Sequence, residues 1–180
     1  MDRGFSLIEV LVATTVMTTG VVALAQVSIL SVRVNHIARS TTFATLLADH
    51  KIEQLRALTW SVDSNGAPIS DTSTDTTVEP EGPSGGTGLT PSPAGALTHN
   101  TSGYCDFLDA SGRTLGGGTT PPANTAFIRR WSIDSLPAAT TATLVIQVSV
   151  TPVHNGVIVG GVTRRPEEVR VVTVKTRKAG

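Results

Sequence analysis

Cysteine and aromatic residues are scarce in this chain, and their scarcity excludes several classes of site. Cys105 is the only cysteine, so the chain cannot form an internal disulfide or a cysteine-rich zinc site. We interpret this residue as a small buried thiol. Only 4% of the residues are aromatic, and the basic C-terminal part lacks the stacking residues that single-strand nucleic-acid binders use. We therefore expect no direct nucleic-acid partner.

Motifs for catalysis and for metal or cofactor binding are also missing from the sequence. There is no GxSxG nucleophile elbow and no glycine-rich phosphate loop. The histidines have no paired-ligand spacing; they are His36, His50, His99 and His154. Four acids could form a calcium site, but they resemble no defined calcium loop, and a solvated acidic loop is the preferred interpretation; they are Asp71, Asp75, Glu79 and Glu81. We expect no catalytic residue, no metal and no cofactor.

The formal net charge is zero, but the charges are unevenly distributed along the chain. Residues 61–110 contain seven acids and no Lys or Arg, whereas residues 111–180 contain nine Lys or Arg and three acids. Segments of opposite charge attract each other. We expect these two segments to pack against each other or against neighbouring copies of the chain.

Charged residues and proline are both missing from long stretches near the N-terminus. Residues 10–32, which number 23, carry no charge, and at 1.5 Å per residue a helix of this length crosses the hydrocarbon core of a membrane. No proline precedes Pro68, so a single helix could run from about Phe5 to about Leu58. Gly20, which follows four threonines, is the expected place for local bending. Because Arg3 precedes the apolar run and other arginines follow it, charge alone does not fix its orientation.

Three hypotheses compete for this N-terminal segment. It could be an ordinary signal peptide, since Ala23-Leu24-Ala25 offers a cleavage site before Gln26. It could also be a plain membrane anchor. Both hypotheses leave Glu9 unexplained, because a carboxylate at the edge of an apolar span is rare and is by default a functional candidate.

The third hypothesis rests on Gly4 and the residues after it, Phe5-Ser6-Leu7-Ile8-Glu9. This segment resembles the cleavage and methylation site of type IV prepilins and type II secretion pseudopilins. The resemblance implies that a membrane-embedded prepilin peptidase cuts after Gly4 and methylates the new amino group of Phe5. It also implies that Glu9 pairs with the Phe5 amine of a neighbouring subunit, which would give a buried carboxylate the partner that it needs.

The same resemblance implies a location and a set of partners. The protein would be held in the bacterial inner membrane by a single helix, with its C-terminal domain in the periplasm, and would then enter a filament. Its partners would be the prepilin peptidase, other pilin or pseudopilin subunits, the inner-membrane assembly platform and membrane lipid. Residues 44–58 resemble the second half of the helix in minor pilins and minor pseudopilins, which favours a minor subunit. The alternative is a periplasmic binding or enzymatic domain behind a signal peptide or anchor.

Periodicity in the rest of the chain predicts an α+β fold, in which the long helix packs on a small antiparallel sheet. Apolar residues recur every three or four positions from Ala44 to Leu55, which predicts a face that docks on a sheet. Strands are predicted at residues 126–134, 142–150 and 168–176, with a short one at 156–162. The expected organisation has five parts. A leader (1–4) precedes a membrane helix (5–32), and residues 33–60 form the amphipathic half of the same helix. A Ser/Thr/Gly/Pro-rich loop region (61–124), in which only Tyr104 to Leu108 is ordered, then leads to the sheet (125–180).

Overall fold

The computed structural model describes residues 6–136, 142–153 and 168–177, and the chain forms two compact units, residues 1–39 and 40–180. Helix α1, Leu7–Ala57, begins in the first unit and ends in the second. Its extent confirms the predicted single helix. It is unbroken at Gly20, so the expected local bend does not interrupt the helix.

The second unit contains a five-stranded antiparallel sheet and a separate two-stranded hairpin. The hairpin consists of β1 (Trp60–Val62) and β2 (Pro68–Ser70). The larger sheet has the order β4-β3-β5-β6-β7. Its strands are β3 (Cys105–Leu108), β4 (Thr114–Gly117), β5 (Phe127–Ser135), β6 (Thr143–Pro152) and β7 (Val169–Thr176).

The core of the second unit lies between the last part of α1 and one face of the larger sheet. The predicted apolar stripe of the helix is buried, from Ala44 through Leu47 and Ala48 to Leu55. Alternate residues of β5 and β6, such as Trp131 and Ile146, belong to the same cluster. Because alternate side chains of a strand point to one face, the alternation in the sequence places them against the helix.

The three longer predicted strands are confirmed within one or two residues, as β5, β6 and β7. The α+β arrangement of a long N-terminal helix and an antiparallel sheet is therefore also confirmed. The short strand predicted at residues 156–162 lies outside the described residues.

The segment 61–124 is more ordered than its composition predicted. It contributes β1 to β4, and Leu89 and Ala96 are buried in the core. Tight turns join its short strands: the Asp109 carboxylate accepts hydrogen bonds from the backbone N–H groups of Ser111 and Arg113. Strands of three or four residues are too short to show an alternating pattern, which is why composition alone predicted loops.

Candidate functional site

The first turn of α1 is organised around the Glu9 carboxylate. The backbone N–H of Ser6 donates a hydrogen bond to Glu9 Oε2 at 3.2 Å, and the Glu9 N–H donates to the Ser6 carbonyl at 3.0 Å. A glutamate that reaches back three residues to a serine backbone is one half of a capping box, and a carboxylate here also complements the positive end of the helix dipole. Glu9 is thus held at the start of the helix, beside the chain that leads into it.

The other two residues of the predicted processing site, Gly4 and Phe5, lie outside the described residues. The structure therefore places Glu9 in the first helical turn and leaves the predicted cleavage, methylation and charge pairing as predictions.

The helix that follows Glu9 presents apolar side chains on all sides. Met17 is 71% exposed and Leu24 is 70% exposed. By length and composition α1 is able to cross a membrane, since an 18-residue window has a mean hydropathy of 2.0 and none of it is buried in the fold. Such a surface fits anchoring in a membrane, because a helix that is apolar on every side needs an apolar environment.

Threonine hydroxyls within this apolar part are satisfied by the helix itself. Thr14, Thr15, Thr18 and Thr19 each donate to a backbone carbonyl three or four residues earlier, at 2.6–3.1 Å. A hydroxyl that is already bonded to a carbonyl costs less to transfer from water into lipid. These residues are therefore compatible with a position inside a bilayer.

A buried ionic cluster in the second unit was not anticipated from the sequence. It consists of Lys51 on α1, Asp106 on β3 and Arg129 on β5. Lys51 Nζ lies 2.9 Å from Asp106 Oδ2, and Arg129 binds both oxygens of Asp106, at 2.9 and 2.7 Å. The Lys51 and Asp106 side chains are 0% exposed. Asp106 and Arg129 come from the acidic and basic segments, so this pair confirms that the two segments contact each other within one chain.

Other groups complete the surroundings of Lys51. Its ammonium donates to Gln54 Oε1 at 2.8 Å and to the carbonyl of Thr76, and it lies 4.0 Å from the centroid of the Trp131 ring. Burial lowers the pKa of Lys51 to about 8, although the Asp106 charge acts in the opposite direction. The contact of Lys51 with Asp106 joins α1 to β3, and the hydrogen bond from Arg129 Nη1 to the Leu47 carbonyl joins α1 to β5 at 3.0 Å. The cluster therefore helps to fix the position of the helix on the sheet.

Two of the four acids considered for a calcium site have local partners. The carboxylate of Asp71 accepts hydrogen bonds from Ser73 and Thr74, and that of Asp75 accepts two from Thr77. These acids stabilise turns in the acidic loop. Within the described ranges, no three His, Cys, Asp or Glu side chains are grouped so that they could hold a metal ion.

The two tryptophans and the cysteine lie in positions typical of structural residues. Trp131 is fully buried in the core, and Trp60 is partly buried beneath the Arg177 guanidinium, which lies 3.8 Å from the centroid of its ring. Cys105 is buried, as predicted, and burial raises the pKa of its thiol to about 12. A thiol with such a pKa is protonated at neutral pH and therefore unreactive.

Comparison with known proteins gives one match. Residues 1–25 match the family model of the prokaryotic N-terminal methylation motif. No curated protein and no solved structure matches the chain significantly. The matched segment contains Gly4, Phe5 and Glu9 and includes more than half of the charge-free part of α1. The N-terminus of this chain thus carries the prokaryotic N-terminal methylation motif, which is the signature of type IV prepilins.

Proposed function

We propose that this protein is a structural subunit, and a minor one, of a type IV pilus or a type II secretion pseudopilus. The observation that supports this proposal is the methylation motif at residues 1–25, which opens a helix able to cross a membrane. In this proposal the motif makes the chain a substrate of a peptidase that also methylates it. The role of the processed chain is then to assemble with other pilin subunits.

In this proposal, a prepilin peptidase cuts after Gly4 at the cytoplasmic face of the inner membrane and methylates the Phe5 amine. The C-terminal domain lies in the periplasm. The inner-membrane platform then moves the helix from the bilayer into the filament, where its apolar surface packs against other helices. Both environments are apolar, so the transfer does not expose the charge-free span to water.

The Glu9 carboxylate guides this transfer by pairing with the Phe5 amine of a neighbouring subunit. In the precursor its partner is the Ser6 backbone N–H at 3.2 Å, a neutral donor. A cationic amine is a stronger partner for a carboxylate than a neutral amide, and the difference grows in an apolar environment. Exchange of a neutral donor for a charged one therefore favours assembly over the isolated subunit.

The first test is the mass of the mature N-terminus in protein from the native host. We expect a chain that begins with N-methylated Phe5. A chain that begins at Gln26 would instead establish an ordinary signal peptide and a secreted periplasmic domain, and an unprocessed chain would establish a plain anchor.

The second test addresses Glu9. We expect Glu9→Ala and Glu9→Leu to insert into the membrane normally and to be lost from sheared filaments, because both variants lack the charge that pairs with the amine. Glu53→Ala is the matched control, since Glu53 is an exposed glutamate of the same helix that pairs with Arg56 at 3.1 Å. Filament incorporation of both Glu9 variants at the level of the control would exclude the charge-pair mechanism.

A further inference from the structure

A basic patch follows the charge-free part of α1. We define it as Arg33, His36 and Arg39, which recur every three residues and therefore lie within about 120° of the helix circumference at 3.6 residues per turn. No Asp or Glu occurs between Glu9 and Asp49. The patch is thus cationic, and no acid in the same stretch of the chain neutralises its charge.

The side chains of the basic patch are exposed, and among the described residues its arginines have no acidic partner. All three residues are exposed, and neither Arg33 nor Arg39 forms an ion pair with an acid in the part of the chain that the structure describes. The arginines nearer the C-terminus differ in this respect. Arg56 pairs with Glu53, and Arg129 pairs with Asp106. The patch is therefore available to an external anion.

The length of the apolar span places this patch at a membrane surface. The 23 charge-free residues from 10 to 32 extend about 35 Å, slightly more than the hydrocarbon core of about 30 Å. Arg33, the next residue, then lies where the headgroups begin. Arg39 lies about 9 Å further along the axis, but helical side chains lean toward the N-terminus, which here is toward the bilayer. Both guanidinium groups can thus reach the headgroup layer.

We propose that the basic patch binds the phosphate headgroups of anionic phospholipids at the membrane face opposite Glu9. A guanidinium donates two parallel hydrogen bonds to a phosphate, so two arginines on one face of the helix suit a charged headgroup. The inference rests on the membrane insertion that is part of the proposed function, and on no step of cleavage or filament assembly. Bound anionic lipid would hold the subunit in the bilayer until contacts with other subunits replace the lipid during assembly.

The test is native mass spectrometry of the full chain in a nonionic detergent, titrated with phosphatidylglycerol or with phosphatidylcholine of the same acyl chains. We expect preferential binding of phosphatidylglycerol. Arg33→Gln and Arg39→Gln should each weaken that binding about fivefold, and the double variant about 25-fold, from a typical gain per basic residue near an anionic surface. Arg33→Lys and Arg39→Lys should lose less of it than the Gln variants, because lysine keeps the charge but not the paired hydrogen bonds, and added salt should weaken the binding.

Arg56→Gln is the matched control, because Arg56 is an exposed arginine of α1 that lies in the second unit. Equal affinity of the wild-type chain for the two lipids would overturn the proposal, as would an equal loss of binding in the control. The same spectra give the mass of the intact chain, which shows whether the N-terminus has been cut and methylated. A failure of prepilin processing is therefore distinguishable from a failure of lipid binding. Loss of the Gln variants from filaments without any change in lipid binding would assign the arginines to contacts with protein.

Discussion

At the scale of single residues, the charge balance around Asp106 decides how the second unit tolerates substitution. Asp106 is the one acid that contacts both Lys51 and Arg129, so the cluster has one negative and two positive charges. Removal of the acid leaves two cations facing each other in the interior, whereas removal of Lys51 leaves a balanced pair. The two substitutions therefore have opposite effects on the net charge of the cluster.

We therefore expect Asp106→Asn to destabilise the protein by about 3–5 kcal/mol, the range found when one partner of a buried ion pair is lost. Lys51→Met should cost clearly less, because the Asp106–Arg129 pair keeps its two hydrogen bonds. Urea unfolding of the full chain in detergent, followed by tryptophan fluorescence, measures both. Asp49→Asn is the control, since Asp49 is an exposed acid of α1 in the same unit. A larger loss for Lys51→Met than for Asp106→Asn would contradict this account.

The burial of Lys51 also predicts a dependence of stability on pH. Burial lowers its pKa from the usual 10.5 to about 8, so between these values the unfolded chain binds more protons than the folded chain. The free energy of unfolding should therefore rise with pH across this window, by at most about 1.4 kcal/mol per pH unit, and the contribution should be constant below it. The difference in stability between wild type and Lys51→Met, measured at several pH values, isolates this residue. A stability difference that stays constant from pH 8 to pH 10.5 would contradict the lowered pKa of Lys51.

At the scale of elements, the sequence predicts those whose periodicity extends over many residues. Helix α1 and strands β5 to β7 are long enough for an apolar pattern to be distinguished from chance. The short strands β1 to β4 depend instead on turns and on contacts with distant segments, such as the antiparallel pairing of β3 with β5. Local composition carries no information about such contacts, so the segment looked like a loop.

The two candidate sites differ in the same way. The methylation motif at residues 1–25 is a linear signal made of consecutive residues, so it can be recognised in the sequence alone. The ionic cluster joins residues from α1, β3 and β5, which only the folded chain brings together. One sequence signal does exist for it. Lys51 follows Leu47 by four residues and precedes Leu55 by four, so it occupies the apolar stripe of the helix, where an unpaired cation is not expected.

At the scale of the whole molecule, the features that bear on function and those that bear on folding lie in different units. The methylation motif, Glu9 and the basic patch lie within residues 1–39, whereas the buried core and the ionic cluster lie within residues 40–180. The match to the methylation-motif family covers residues 1–25, which lie in the first unit. Processing and membrane insertion should therefore depend on the first unit, and stability on the second.

This division predicts that defects in the two units are separable. Asp106→Asn should weaken the second unit and still yield a chain cut after Gly4, because the proposed cleavage site belongs to the first unit. Glu9→Leu should leave the urea unfolding of the second unit unchanged, because Glu9 contributes nothing to its core. The mass of the N-terminus and the unfolding midpoint, measured on both variants, check the two halves. A precursor of Asp106→Asn that accumulates uncut in the membrane would show instead that processing requires a folded second unit, and a lowered midpoint in Glu9→Leu would show that the first turn of α1 stabilises that unit.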